Sequence, residues 1–105
     1  MSEGETQIRA YLNLLDKGMV SRNEVTQALL FRLVEKCFAP EQLCSLLPPE
    51  VMLDLRRFLQ ELRENGYKWR PFLIGGRGQP EPVDPAWLKE IDERISACAG
   101  DLARN

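Results

Sequence analysis

The sequence predicts an all-α fold, a compact bundle of about five helices, one of them short. Apolar residues recur at spacings of three and four along much of the chain, which is the period of an amphipathic helix. Capping residues and prolines mark where these segments begin and end. Between residues 67 and 85, four prolines and three glycines exclude a helix. An extended segment, the strap (residues 67–83), is therefore expected before the last helix.

The first two helices are expected over about residues 5–17 and 22–38. In the first helix, Ile8 and Leu15 belong to an apolar stripe, and Gly18 follows as a stop signal. Ser21 and Glu24 have the spacing of a capping box, which starts the second helix. The stretch ALLFRLV is apolar nearly all the way round, so this helix is predicted to lie at the centre of the bundle.

Three more helices are expected over about residues 40–47, 49–65 and 85–103. Each has a proline at its first helical position, where the missing N–H is not needed. The fourth helix has the clearest amphipathic pattern and ends before the pair Asn65-Gly66. The fifth carries a narrow apolar stripe, which would also suit a coiled-coil seam with a second copy of the chain. The stripe consists of Leu88, Ile91, Ile95, Cys98 and Leu102.

Composition limits the possible functions. With 105 residues, 44% of them hydrophobic and 29% charged, the chain is expected to form one globular domain over residues 1–105. No apolar run approaches the roughly 20 residues that span a bilayer, and the acidic start MSEGETQ is unlike a secretory signal. A cytoplasmic location without membrane binding is therefore predicted.

The chain contains no histidine, which removes the commonest general base and the commonest zinc ligand. The sequence also contains no nucleophile motif and no metal-ligand spacing. The carboxylates, Asp92 and Glu93 among them, have the pattern of a solvated helix face. The sequence therefore predicts a protein that is not an enzyme and that uses no cofactor or metal.

Three cysteines, Cys37, Cys44 and Cys98, are an odd number and show no C-x-x-C spacing. Each lies among apolar neighbours, and unpaired cysteine is one of the most often buried residues. We therefore expect three reduced, buried thiols and no disulfide.

The stretch DKGMVSRNE, residues 16–24, resembles the second half of a calcium-binding loop. If Gly18 is the sixth loop position, Leu15 and Lys17 occupy the third and fifth, where calcium requires oxygen ligands. These side chains cannot coordinate calcium. The stretch is therefore interpreted as a helix stop followed by a capping box.

The first two helices also suggest a helix-turn-helix, but such a motif needs an exposed basic recognition face. Residues 1–40 contain five basic and five acidic residues, and leucines separate Arg22, Arg32 and Lys36. DNA binding through the second helix is therefore not expected.

Positive charge is concentrated in the strap, because residues 67–78 contain three basic residues and no acidic one. Basic and aromatic side chains alternate there, an arrangement that suits contact with a protein partner or stacking on nucleic-acid bases. The predicted partner-binding residues are Tyr67, Lys68, Trp69, Arg70, Phe72 and Arg77. In the alternative interpretation, Tyr67 and Trp69 only cover the helices while Lys68 and Arg70 face water.

The sequence thus predicts a small protein-protein interaction module, an adaptor, inhibitor or regulator whose partner is another protein. The alternative function is a nucleic-acid-binding regulator that uses the aromatic and basic side chains of residues 67–77. A homodimer through the C-terminal helix is a further hypothesis, although two heptads are too few to specify one.

The interpretation of residues 16–24 predicts that calcium does not stabilise the fold, because Leu15 and Lys17 offer no oxygen ligands. Thermal melts with millimolar calcium and with a chelator should give the same midpoint. A midpoint that rises with calcium and returns with chelator would contradict this interpretation.

Overall fold

A computed structural model describes residues 2–71 and 81–99, and these residues form five α-helices and no β-strand. The all-α bundle predicted from the sequence is confirmed. The helices are α1 (Glu3–Asp16), α2 (Arg22–Val34), α3 (Pro40–Leu46), α4 (Pro49–Glu64) and α5 (Pro85–Ala99). None of these helices is both long enough and apolar enough to cross a membrane.

The corner between α1 and α2 has the local structure that its sequence predicts. Gly18 has a φ of +72°, a left-handed conformation that glycine adopts without strain. The Ser21 hydroxyl accepts a hydrogen bond from the Glu24 amide at 3.1 Å, and the Glu24 carboxylate accepts one from the Ser21 amide at 3.2 Å. The capping box is therefore confirmed, and it satisfies amides that the first helical turn leaves without partners.

Helix α2 ends at Val34 rather than at residue 38, so its predicted end is wrong by four residues. Lys36 adopts a φ of +62°, which interrupts the helix. Its amide donates to the Leu33 carbonyl and the Cys37 amide donates to the Arg32 carbonyl, both at 3.0 Å. This is the pattern in which glycine usually ends a helix. Because a lysine occupies the position here, the sequence carried no stop signal.

The helices pack in a closed ring in which α1 contacts α2, α2 contacts α4, α4 contacts α5, α5 contacts α3 and α3 contacts α1. Across the ring, α2 also touches α5. The central position predicted for α2 is not observed, because the helices form a ring and α4 contributes as many core residues as α2, four each. The buried apolar residues of the core are Ile8, Val25, Leu29, Leu30, Leu33, Phe38, Leu43, Val51, Leu55, Leu59, Leu62, Leu88, Ile91 and Ile95.

A disulfide joins Cys44 of α3 to Cys98 of α5, with the two Cα atoms 6.1 Å apart. The prediction of three reduced thiols is therefore wrong for this pair, while Cys37 is free and half-buried. Residues 54 positions apart are brought together by the packing of α3 on α5, which cysteine spacing does not reveal. In the chain-entropy model, closing a loop of that length stabilises the fold by roughly 4 kcal/mol.

Substitution of Leu55 by alanine should lower the free energy of unfolding by about 2 to 5 kcal/mol, because it leaves a cavity where a fully buried side chain stood. Gln60→Ala is the control, an exposed position on the same helix where a change within about 0.5 kcal/mol is expected. Urea denaturation followed by circular dichroism measures both. Equal stability of the two variants would mean that this face of α4 is not part of the core.

Candidate partner-binding site

The strap begins at a tightly constrained turn after α4. Gly66 and Tyr67 have φ values of +77° and +61°, and the Tyr67 amide donates to the Leu62 carbonyl at 2.6 Å. The Asn65 side chain forms two hydrogen bonds with the backbone of Lys68, the residue after Tyr67. It accepts one from the Lys68 amide at 3.0 Å and donates one to the Lys68 carbonyl at 3.2 Å. These hydrogen bonds determine the direction in which the strap leaves α4.

Side chains of the strap alternate between the bundle and the solvent. Tyr67 and Trp69 are half-buried, whereas Lys68 and Arg70 are exposed. This is the arrangement expected if the aromatic residues cover the helices. Of the six predicted partner-binding residues, Phe72 and Arg77 lie outside the described part of the chain.

Tyr67 is anchored by a buried carboxylate. Its hydroxyl donates to Asp92 of α5 at 2.8 Å, and the Arg63 guanidinium donates to the same carboxylate through two hydrogen bonds of 3.0 and 3.1 Å. Asp92 is only 2% exposed. The sequence interpretation of Asp92 as part of a solvated face is therefore wrong, because the end of α4 and the start of the strap cover it.

The surroundings of this carboxylate affect its two donors. Burial raises the pKa of the Tyr67 hydroxyl, and its hydrogen bond to Asp92 raises the pKa further. The hydrogen bonds from Arg63 to Asp92 raise the pKa of the guanidinium. Both donors therefore keep their protons at neutral pH, and the contact links α4, the strap and α5 by hydrogen bonds to a charged group.

Trp69 is held by contacts on two sides. Its ring packs edge-on against Phe58 of α4, with the ring centres 5.8 Å apart and the planes at 78°. Its carbonyl accepts a hydrogen bond from the Val83 amide at 3.0 Å, which joins the two described parts of the strap. The position of the indole is therefore set by α4 and by the returning chain.

Trp69 and Pro71 form one wall of an apolar groove of about 480 Å³ between α1 and α2. Most of the other lining residues are half-buried, so their side chains reach the surface without being fully covered. The groove is lined by Tyr11, Leu14, Val20, Glu24, Val25, Gln27, Ala28, Phe31, Arg32, Trp69 and Pro71. Met19, 68% exposed, lies at the corner between α1 and α2, next to Val20 in the chain.

The polar side chains of the groove are partly engaged with each other. Arg32 donates to the Tyr11 hydroxyl at 3.3 Å and to the Glu35 carboxylate at 3.1 Å. The contact with Tyr11 is the main reason why the pKa of Arg32 is raised. The guanidinium therefore stays charged at the edge of an otherwise apolar surface.

Sequence reasoning missed the groove. The apolar circumference of α2 predicted a helix packed on several sides, but Ala28 and Phe31 are only half-buried and line the groove. The sequence does not show which stripe of an all-apolar helix lacks a covering element.

Trp69 also lines a second cleft, together with Lys68, Arg70, Val83 and Pro85. Asp84 is the acidic member of this cleft, and its carboxylate accepts a hydrogen bond from the Ala86 amide at 3.0 Å at the start of α5. Trp69 therefore borders both the apolar groove and a cleft whose charged side chains are Lys68, Arg70 and Asp84.

Within residues 2–71 and 81–99, no three side chains of the metal-ligating types lie close enough together to hold a metal ion. The apolar stripe proposed for a homodimer is used inside the chain, since Leu88, Ile91 and Ile95 are fully buried. A dimer through α5 stays a prediction, and it would have to use other residues of the helix.

Comparisons with protein-family models, with curated proteins and with solved structures give no significant match to this chain.

Replacing Tyr67 by phenylalanine should lower the free energy of unfolding by about 1.5 to 3 kcal/mol, since it removes a donor from a buried charged group. The matched control is Tyr11→Phe. The Tyr11 hydroxyl only accepts a longer hydrogen bond from Arg32, so this variant should lower the free energy of unfolding by less than about 1 kcal/mol. Urea denaturation measures both variants.

The Tyr67→Phe effect should also depend on pH. Because the pKa of Tyr67 is higher in the folded state than its ordinary value of 10.0, the contribution of the hydroxyl is complete below that pH and is lost as the pH rises through the folded-state pKa. The two proteins should therefore become more alike above pH 10.0. A difference that stays constant into that range would show that the hydroxyl does not make this contact.

Proposed function

We propose that this protein is a non-catalytic protein-binding module, an adaptor, inhibitor or regulator. Its binding surface would be the groove between α1 and α2 together with the exposed cations of the strap. The partner would supply apolar side chains flanked by acidic residues. The observation that carries the proposal is the apolar groove beside Trp69, with Lys68 and Arg70 exposed on either side of that residue in the chain.

The groove has the size and chemistry of a site for large side chains. A volume of about 480 Å³ lies within the range of protein binding pockets, and few of its lining residues carry charge. Phe31 and Trp69 offer aromatic surface, a residue type enriched at protein interfaces. An apolar stripe of a partner helix or strand would bury this surface, which is a recurring mode of peptide recognition.

The charge around Trp69 supports an acidic partner. Lys68 and Arg70 are exposed and belong to a segment without acidic residues between positions 67 and 78. The chain as a whole has a net charge of −2, so this positive region stands out against its surroundings. Complementary charge on the partner would increase the association rate and select the orientation of binding.

The alternative, a nucleic-acid-binding regulator, is less well supported. Base stacking requires exposed aromatic faces. Tyr67 and Trp69 are half-buried, with the Tyr67 hydroxyl bonded to Asp92 and the Trp69 ring packed against Phe58. We therefore favour a protein partner, and the salt dependence measured below also tests the alternative.

Absence of catalysis is part of the proposal, and the lack of histidine in the chain supports it. A cytoplasmic location stays a prediction from the sequence. The Cys44–Cys98 disulfide weighs against that location, because disulfides persist mainly in oxidising compartments.

A peptide-display selection against the intact protein tests the proposal. Enriched peptides should combine large apolar residues, spaced to lie on one face, with neighbouring aspartate or glutamate. Their affinity, measured by fluorescence anisotropy, should fall roughly tenfold or more in Ala28→Arg, which fills the groove. The double reversal Lys68→Glu and Arg70→Glu should weaken binding at low salt and have a smaller effect at high salt.

Gln60→Arg is the matched control, since it introduces the same charge on an exposed part of α4 that does not line the groove. Circular dichroism and thermal melts establish that each variant is folded. Peptides that bind Ala28→Arg as well as the parent would exclude the groove as the site. Tighter binding of single-stranded DNA than of any selected peptide, with steep release by salt, would favour the nucleic-acid alternative.

A further inference from the structure

The last turn of α5 is attached to the bundle differently from the rest of the helix. Leu88, Ile91 and Ile95 are fully buried and hold the first three turns in the core. None of the described residues after Ile95 is a buried apolar residue, and residues 97–99 are exposed. The disulfide from Cys98 to Cys44 lies in this exposed turn.

Polar contacts are also described at and before this turn. Ser96 accepts a long hydrogen bond of 3.4 Å from Arg56, and the ion pair between Arg94 and Glu41 precedes the turn. The disulfide therefore adds a covalent attachment of residues 96–99 to α3, on which α5 also packs.

We propose that the Cys44–Cys98 disulfide is a thiol-exchange site that controls the end of α5. A dithiol reductant opens it in the folded protein, and the last turn of α5 then separates from α3 while the rest of the bundle stays folded. In the oxidised protein the turn is held against α3.

The exposure of the two cysteines selects the sulfur that is attacked. Cys98 is an exposed residue, whereas Cys44 is half-buried under α5. A thiolate of the reductant attacks the Cys98 sulfur, the bond to Cys44 breaks, and Cys44 leaves as a thiolate that takes a proton from water. The first attack leaves a mixed disulfide between Cys98 and one sulfur of the reductant. The second thiolate of the reductant then attacks that reductant sulfur and releases Cys98 as a thiolate. The reductant becomes a cyclic disulfide, and two electrons pass to the cysteines.

The remainder of α5 has independent attachments, so opening the disulfide has a local effect. Asp92 is bonded to Arg63 and Tyr67, and the Trp87 indole donates to the Val34 carbonyl at 3.2 Å. Together with the buried stripe, these contacts keep the first part of the helix in place. Local opening of a weakly attached helix end, with the core intact, is a common behaviour of folded proteins.

Native-state hydrogen exchange with and without dithiothreitol tests the proposal, in a Cys37→Ser background that removes the third thiol. In buffer without denaturant, reductant should convert the protein from no alkylatable thiol to two. Exchange of the amides of residues 96–99 should accelerate about tenfold or more, while that of residues 88–95 changes by less than about threefold. The control is Cys44→Ser with Cys98→Ser, which should exchange fast at this turn without reductant and should not respond to it.

The attacked sulfur is identified with glutathione, a monothiol that leaves the mixed disulfide in place. Peptide mapping after acid quenching should find glutathione on Cys98 about tenfold more often than on Cys44. Three results would overturn the proposal: two alkylatable thiols in the air-oxidised protein, a disulfide that resists reductant until denaturant is added, or accelerated exchange over all five helices. If glutathione is found mainly on Cys44, the assignment of the Cys98 sulfur as the one attacked is wrong.

Discussion

The buried carboxylate of Asp92 is the contact on which the arrangement of the binding surface depends. A negative charge inside a helical bundle is costly unless charged and polar donors satisfy it. Here the donors come from the last turn of α4 and the first residue of the strap, so satisfying Asp92 requires both to lie against α5. Removing one donor leaves an incompletely satisfied buried charge, which is a stronger constraint on geometry than an apolar contact of similar size.

Several other positions follow from this contact. With Tyr67 held at Asp92, the alternation of the strap directs Trp69 toward Phe58 and leaves Lys68 and Arg70 exposed. Trp69 then stands beside the exposed stripe of α2 and completes the groove. The contact of Asp92 with Arg63 and Tyr67 thus places the apolar groove next to the exposed cations of the proposed binding surface. Asp92 itself belongs to neither part.

The two proposals concern different parts of the ring of helices. The groove is formed by α1, α2 and the strap, whereas the disulfide joins α3 to the end of α5. No residue of the described part of the chain belongs to both sites, and substitutions in the groove leave the cysteines unchanged. Loss of peptide binding and loss of redox control of α5 are therefore separable observations, and each proposal can fail without the other.

Local signals in the sequence determined the number of helices, their starts and the change to an extended strap, because caps, prolines and apolar periodicity act within a few residues of one another. They also predicted the alternation of Tyr67 and Trp69 with Lys68 and Arg70. Only the tertiary structure decided the left-handed turn at Lys36, the burial of Asp92, the pairing of Cys44 with Cys98 and the groove on α2. Burial and pairing depend on which distant segments pack together, and one helix pattern is compatible with many such arrangements.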